Sequence, residues 1–303
     1  MIQIKKIFIS AIIAVLFLSI FCSKNGSGVK SSGGISRLIS LSPSITREII
    51  DLGYEDSIVG VTSYDDYKIR GAEIVGTLVQ PNFEKILMLK PDLVVSSEED
   101  SLVQNVDRLA SAGIAVQRFK KNRNFSDICE NYIQLGRLLD SEIRAREKIK
   151  GYHSQLERLK KESMRSSAGT AKRGKPIETD LPQVAMFISH RPLMAVSEDS
   201  YIGKIIRDSG GICAYGRVDR PYPLVSFESL LKLDPDVVIS VTGEKDDFFE
   251  KLRVFPQLKC RMKNGIYTIS HETISYYTPA DYLDSVRIIT GILRKFAYDS
   301  SMQ

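Results

Sequence analysis

The chain has 303 residues, of which 43% are hydrophobic and 26% are charged, and its formal net charge at pH 7 is +5. This is the composition of an ordinary globular protein, and the length allows two domains of common size. The excess of basic residues lies near the N-terminus and around residues 160–175, where no aromatic residues interleave with them. The charge pattern therefore argues against a nucleic-acid partner.

Residues 1–22 have the pattern of an export signal. Lys5 and Lys6 precede an apolar run, residues 7–21, that is short for a membrane span. Cys22 follows, and residues 23–36 are rich in glycine and serine, which predicts a flexible tether. The arrangement resembles the lipidation site of a bacterial lipoprotein; the alternative is an uncleaved anchor with an incidental cysteine. We predict an exported protein of the periplasm or cell surface, anchored to the membrane through lipidated Cys22.

Residues 37–135 alternate between strand and helix patterns. Strands are predicted at 37–41 and 58–61, separated by a helix that begins at the Ser42 cap and ends at Gly53. A polar loop at 62–67 comes next. A helix and strand at 83–96, a helix at 102–112 and a strand at 114–119 follow. Such alternation predicts an α/β lobe whose mostly parallel sheet is flanked by helices on both faces.

A stretch without proline, residues 126–164, predicts one helix followed by a much longer one. We place a linking helix at 136–164 and expect it to be a rigid strut, because helices within compact lobes average only three to four turns. Residues 165–182 are polar and contain glycine and proline, which predicts a mobile surface loop.

Residues 183–303 repeat the scheme of the first lobe. The phrase FESLLKLDPDVVIS at 227–240 matches FEKILMLKPDLVVS at 83–96 in eight of fourteen positions. Each copy predicts a capped helix, a Pro-Asp stop and a strand buried on both faces. The repeat indicates an α/β fold of two similar lobes, joined by the strut, with a ligand cleft between them.

The cysteine and histidine content does not indicate metal or enzyme chemistry. The spacing of Cys129, Cys213 and Cys260 matches no metal motif, although a Cys213–Cys260 disulfide is possible. A bare zinc or manganese carrier needs several histidines and carboxylates from both lobes, and the first lobe has no histidine. No GxSxG elbow, phosphate-binding glycine loop or dinucleotide fingerprint is present. We predict a protein that is not an enzyme and has no metal site or intrinsic cofactor.

Several blocks along residues 37–300 carry a family resemblance. They are RLISLSPSITREIIDLG, VGVTSYDDY, NFEKILMLKPDLVVS, LASAGIAV and RPYPLVSFESLLKLDPDVVIS. Together they resemble the substrate-binding proteins that serve ABC importers of iron complexes, haem and cobalamin. The SYDDY and YPLVSFE blocks are most similar to the cobalamin-binding members. The resemblance implies a ligand held between the lobes by loops at the carboxyl ends of the strands.

The resemblance also implies where the ligand contacts lie. Tyr64 and Tyr222 match the ligand-facing aromatic positions of the family, and Tyr67 and Tyr276 are further aromatic candidates because a large planar ligand favours rigid aromatic walls. His190 and Arg191 end the first strand of the second lobe and should face the cleft. Arg191 there is suited to binding a carboxylate or phosphate.

The implied cargo is a large metal chelate, with cobalamin favoured and haem or a ferric siderophore as alternatives. The implied partners are an ABC permease and its ATPase subunits in the inner membrane, and we expect a monomer. Glu84 and Glu228 match the glutamates that meet permease arginines in the family. Favourable placement in the first turn of a helix is the alternative explanation for both. A structural surface lipoprotein without a transport role is the alternative of another class.

Overall fold

The computed structural model describes residues 34–100, 103–168, 181–241 and 247–301. The predicted export signal, Cys22, the tether up to Gly33 and residues 169–180 of the predicted loop lie outside the described residues. Within the described ranges, no helix is both long enough and apolar enough to cross a bilayer.

The first lobe is built around a parallel sheet of five strands in the order β3-β2-β1-β4-β5. Its elements in chain order are β1 Leu38–Ser40, α1 Pro43–Asp51, a 3₁₀ turn Glu55–Ser57, β2 Ile58–Val61, β3 Glu73–Ile74, α2 Phe83–Met88, β4 Leu93–Ser97, α3 Val103–Ser111 and β5 Val116–Phe119. Successive residues of the central strands enter different cores: Leu38 packs in one cluster and Ile39 in another. Both faces are therefore covered, as the continuous apolar runs predict.

Two helices follow the first lobe. They are α4 Phe125–Leu138 and α5 Glu142–Ala168. The long helix begins at Glu142 rather than at the predicted residue 136, because Asp140 adopts a left-handed φ of 51° and breaks the chain direction. With 27 residues, α5 is about 40 Å long at 1.5 Å per residue.

The second lobe has a sheet with the order β10-β9-β6-β7, and β8 also pairs with β6. Its elements are β6 Gln183–His190, β7 Leu193–Ala195, α6 Tyr201–Asp208, β8 Ile212–Cys213, α7 Phe227–Leu233, β9 Val237–Ser240, α8 Asp247–Arg253, α9 Lys259–Met262, β10 Ile266–Thr268, α10 Glu272–Ser275 and α11 Pro279–Ser301. Among the named strands of this lobe, the pairings are parallel except for β6–β7, which form a tight hairpin through the cis Arg191–Pro192 bond. The prediction of two similar α/β lobes with mostly parallel sheets is confirmed.

The repeated phrase performs the same local task in both lobes. Each helix is capped by a side chain, since Asn82 accepts from the Lys85 N–H at 3.0 Å and Ser226 from the Ser229 N–H at 3.2 Å. The chain leaves each helix at the eighth residue of the phrase, which has a positive φ. The angle is 44° at Lys90 and 43° at Asp234.

The aspartates of the two phrases, Asp92 and Asp236, hold the first strand of their lobe. Asp92 accepts from the backbone N–H groups of Ser36 and Arg37 at 2.9 and 2.8 Å. Asp236 accepts from the Gln183 N–H at 3.1 Å. In both lobes, the aspartate of the repeated phrase therefore fixes the start of the first strand.

The three cysteines within the described residues, Cys129, Cys213 and Cys260, are buried and free. The Cys213–Cys260 bridge that the sequence left open is thus absent. Burial raises the pKa of the Cys213 thiol to about 12, so that it behaves as an apolar core group.

Candidate functional site at the seam between the lobes

The two lobes meet where the loops at the carboxyl ends of the first lobe's strands touch the loop between β10 and α11. The Tyr277 backbone N–H, from the second lobe, donates to Ser44 Oγ of the first lobe at 3.0 Å. Ser44 lies just after β1, and Tyr277 lies after β10 and α10. We call this region of contact, Ser42–Arg47 and residues 62–67 against residues 276–281, the seam. It is the edge at which open α/β sheets bind ligands.

Arg47 of α1 is the centre of the seam. Its guanidinium carbon lies 3.6 Å from the ring centroid of Tyr276 and 5.1 Å from that of Tyr67. The guanidinium also pairs with Asp281 at 3.3 Å and with Asp66 at 3.4 Å, and the Tyr276 hydroxyl donates to Asp66. Each lobe thus supplies one aromatic ring and one carboxylate to the same cation.

Hydrogen bonds within the turn anchor the loop that carries Tyr64 and Tyr67. Asp65 accepts from the Thr62 N–H at 3.0 Å and from the Thr62 hydroxyl at 2.7 Å, and burial raises the pKa of Asp65. This turn leaves both tyrosines at the surface, with Tyr64 59% exposed and Tyr67 44% exposed. Large exposed aromatic rings on an anchored loop are suited to stacking on a ligand.

Tyr222 is a half-buried part of the second lobe. Its side chain lies close to that of Tyr277, and burial raises the pKa of Tyr222 to about 12. Tyr277 in turn packs on Tyr201, with ring centroids 4.5 Å apart. The predicted ligand-facing residues Tyr67 and Tyr276 are therefore brought together directly, through Arg47, and Tyr222 lies beside the seam through Tyr277.

His190 and Arg191 lie at the hairpin between β6 and β7. The His190 ring stacks on Phe248 with centroids 4.3 Å apart, and its Nε2 lies 3.1 Å from Ser240 Oγ. Arg191 is exposed. His190 is the last residue of β6 and Arg191 follows it, and the contact of His190 with Phe248 ties His190 to the core of its own lobe.

Sequence reasoning did not single out Arg47, Asp66 or Asp281. Arg47 and Asp281 are 234 positions apart, so no local pattern connects them. The position of Arg47 in the chain could have indicated its role. Arg47 is in the first helix after a central strand, and the start of such a helix lies at the ligand edge of the sheet.

Glu84 and Glu228 occupy matching places in the first turns of α2 and α7, and both are exposed. Their surroundings differ one turn further on, where Met88 is 80% exposed in the first lobe and Lys232 stands in the second. The pKa of Glu228 is lowered by hydrogen bonds from its own backbone N–H and from the Ser226 side chain. The position of both glutamates in the first turn of a helix agrees with the helix-terminus explanation, and both carboxylates remain exposed to solvent.

A family model of periplasmic binding proteins matches residues 38–259. The chain belongs to this family. It is 21% identical over 266 residues to the vitamin B12-binding protein of Vibrio parahaemolyticus, covering 87% of this chain and 90% of that protein. It is 24% identical over 263 residues to YvrC of Bacillus subtilis, named as an ABC transporter substrate-binding lipoprotein, covering 84% of this chain and 77% of that protein.

Solved structures of periplasmic binding proteins share the fold. The vitamin B12-binding protein BtuF of Vibrio cholerae superimposes with a TM-score of 0.69 at 21% identity, covering 87% of this chain and 98% of that one. The heme-binding protein HutB of the same species gives a TM-score of 0.70 at 18% identity, covering 85% and 98%. At these identities the structural likeness concerns the two-lobed fold and leaves the ligand open.

Proposed function

We propose that this family member is the substrate-binding lipoprotein of an ABC importer, and that it captures a large metal-chelate ligand between its lobes. The observation that carries the proposal is the seam itself, where tyrosines of both lobes converge on one edge and Tyr64 and Tyr67 remain exposed beside it. Flat aromatic surface at a cleft between domains is suited to a large, rigid ligand.

Cobalamin is the favoured cargo, with haem and a ferric siderophore as alternatives. The SYDDY and YPLVSFE blocks and the relatives named as vitamin B12-binding proteins support this order. The visible spectrum of protein purified from its native host distinguishes the three: corrin bands for cobalamin, a Soret band for haem and a broad charge-transfer band for a ferric siderophore. Purification without any of these chromophores, together with no heat of binding on titration with each ligand, would reject metal-chelate capture.

Substitution of the exposed ring tests the site. We expect Tyr64→Ala to weaken ligand binding by about 1–3 kcal/mol, the contribution of a large apolar side chain buried by the ligand. Tyr222→Phe keeps the ring and removes only the hydroxyl, so it should weaken binding less. Tyr298→Ala is the matched control, because Tyr298 is 66% exposed but lies near the end of α11. Equal affinity of wild type and Tyr64→Ala in titration calorimetry removes Tyr64 from the site.

We propose that Glu84 and Glu228 dock the protein on its permease. The support is their matching exposed placement at the start of equivalent helices and the family resemblance. Two separated carboxylates that meet cationic residues would orient the encounter more than strengthen it. Glu84→Arg with Glu228→Arg should abolish uptake while ligand affinity changes by no more than about 0.4 kcal/mol, or twofold.

Glu55→Arg is the control for charge reversal, since Glu55 is exposed in the 3₁₀ turn that precedes β2. It should leave uptake unchanged. Normal uptake by the double variant would assign the two glutamates to helix stabilisation alone.

A further inference from the structure

A small cavity lies in the first lobe directly beneath the seam. The space available to the centre of a water-sized sphere is about 10 Å³. Its walls come from the ends of β1, β4 and β5, from α1 and α4, and from Tyr277 of the second lobe. This is the size of a site for a single water molecule, which also requires two to four polar partners.

Glu48 of α1 lines this cavity and is only 4% exposed. Within the part of the chain that the structure describes, its carboxyl group makes no hydrogen bond and no ion pair. A buried polar group without a partner is costly, and folded proteins commonly satisfy such a group with an ordered water.

Glu99 is the second lining residue with an unmet hydrogen bond. The Asn122 N–H donates to its Oε1, but its Oε2 is buried and has no partner among the described residues. The third carboxylate of the cavity, Asp100, is satisfied, because its Oδ2 accepts from the hydroxyls of Ser42 and Ser97. The demand for a further partner therefore comes from the two glutamates.

We propose that the cavity binds one water molecule that bridges the carboxyl groups of Glu48 and Glu99. Water suits both, since it accepts from a protonated carboxyl and donates to the oxygen of the other. The described residues contain no group of three or more histidine, cysteine or acidic side chains arranged to hold a metal ion. A water molecule needs no such group, because two to four polar partners hold it.

The charges around Glu48 favour its protonated form. Burial, and then the neighbouring Asp51, Asp281 and Glu99, raise the pKa of Glu48 well above that of an exposed glutamate. The titratable groups that face it from its own helix and from the elements packed against it are Asp51, Glu99, Asp100, Cys129, Tyr132, Tyr152, Tyr277 and Asp281.

The cations near these groups are already engaged. Lys148 pairs with Asp51 at 2.6 Å and Arg47 pairs with Asp281 at 3.3 Å. No lysine or arginine is among the residues that line the cavity. Glu48 thus remains the donor that the bridging water needs at pH values where an exposed glutamate is ionised.

Tyr277 lines the site from the second lobe, held by its backbone bond to Ser44 Oγ. Exchange of the water should therefore become faster when the seam is loosened. The residence time of the water, measured by magnetic relaxation dispersion, should shorten at least tenfold when Arg47→Ala loosens the seam.

Crystal structures that resolve ordered water test the site directly. Wild type and Glu48→Gln should each show one peak within hydrogen-bond distance of residues 48 and 99, and Glu48→Leu should lose it. A cavity without the peak in wild type overturns the proposal. So does an anomalous peak there in crystals grown with rubidium in place of sodium, because it identifies a cation.

Infrared spectroscopy tests the proton and needs only Glu48→Gln, should Glu48→Leu fail to fold. At about pH 6, well above the ordinary glutamate pKa of about 4.3, wild type should retain the carbonyl band of a protonated carboxyl group. Glu48→Gln should lose the band, and Glu55→Gln, the exposed control, should keep it. Absence of the band in wild type overturns the assignment. None of these measurements uses a transported ligand, so their outcome is independent of the proposed function.

Discussion

Arg47 joins the two lobes by contacts whose size can be worked out from the structure. Its guanidinium lies 3.6 Å from the Tyr276 ring, where a cation–π contact contributes about 0.5–2 kcal/mol. In the pair with Asp66, the side chain of Arg47 is 23% exposed and that of Asp66 is 55% exposed. In the pair with Asp281, both side chains are 23% exposed. Partly screened pairs of this kind add about 0–1 kcal/mol each. We therefore expect Arg47→Ala to lower the free energy of unfolding by about 1–3 kcal/mol.

The loss should appear in global unfolding because one hydrophobic core includes residues of both lobes, among them Leu38 and Val184. Urea denaturation followed by circular dichroism measures it as a lower midpoint with an unchanged slope. Arg47→Lys keeps the charge but loses the planar stacking surface and fork, so its stability should lie between those of wild type and Arg47→Ala.

Arg108→Ala provides the control, since Arg108 stacks on Phe83 at 4.1 Å within the first lobe. Both alanine variants lose a cation–π contact, but only Arg47→Ala should broaden the distance between spin labels placed on the two lobes. Unchanged stability and an unchanged distance distribution in Arg47→Ala would refute the role of Arg47 in joining the lobes.

Two further predictions concern the strand-holding aspartate and the N-terminus. The pKa of Asp92 is lowered by backbone hydrogen bonds from Ser36 and Arg37 and by the Ser36 hydroxyl. Its contribution to stability is therefore present above the unfolded pKa of about 3.9 and is lost as pH falls through the folded value. Asp92→Asn should flatten this acid dependence in urea titrations, and a wild-type dependence in the variant would contradict it. For the anchor, labelled palmitate should enter wild type and be absent from Cys22→Ala, and equal labelling of both would show that Cys22 is not the acceptor.

The sequence predicted those parts of the fold that depend on short-range patterns. The repeated phrase, its caps and the alternation of helix and strand placed both lobes and most of their elements, because capping, proline stops and buried strands involve residues only a few positions apart. The predicted linking helix was misplaced at its start. A left-handed turn is expected at glycine but not at aspartate. The sequence around Asp140 therefore did not predict the break before Glu142.

The hairpin between β6 and β7 was also missed. Its strand Leu193–Ala195 is three residues long and pairs antiparallel in a sheet that is otherwise parallel. So short a run has no periodicity of its own, and it becomes a strand only because β6 offers a free edge for hydrogen bonding.

By itself, the sequence determined that there are two α/β lobes, that a helix-turn-strand phrase builds each one, and that aromatic loops follow their strands. Only the tertiary structure decided which of those loops meet. Arg47 approaches Asp281 and Tyr276, and Glu48 becomes buried beneath Tyr277, because the folded lobes bring together residues more than 200 positions apart. Burial and charge at the seam are properties of that juxtaposition, and no local pattern of residues encodes them.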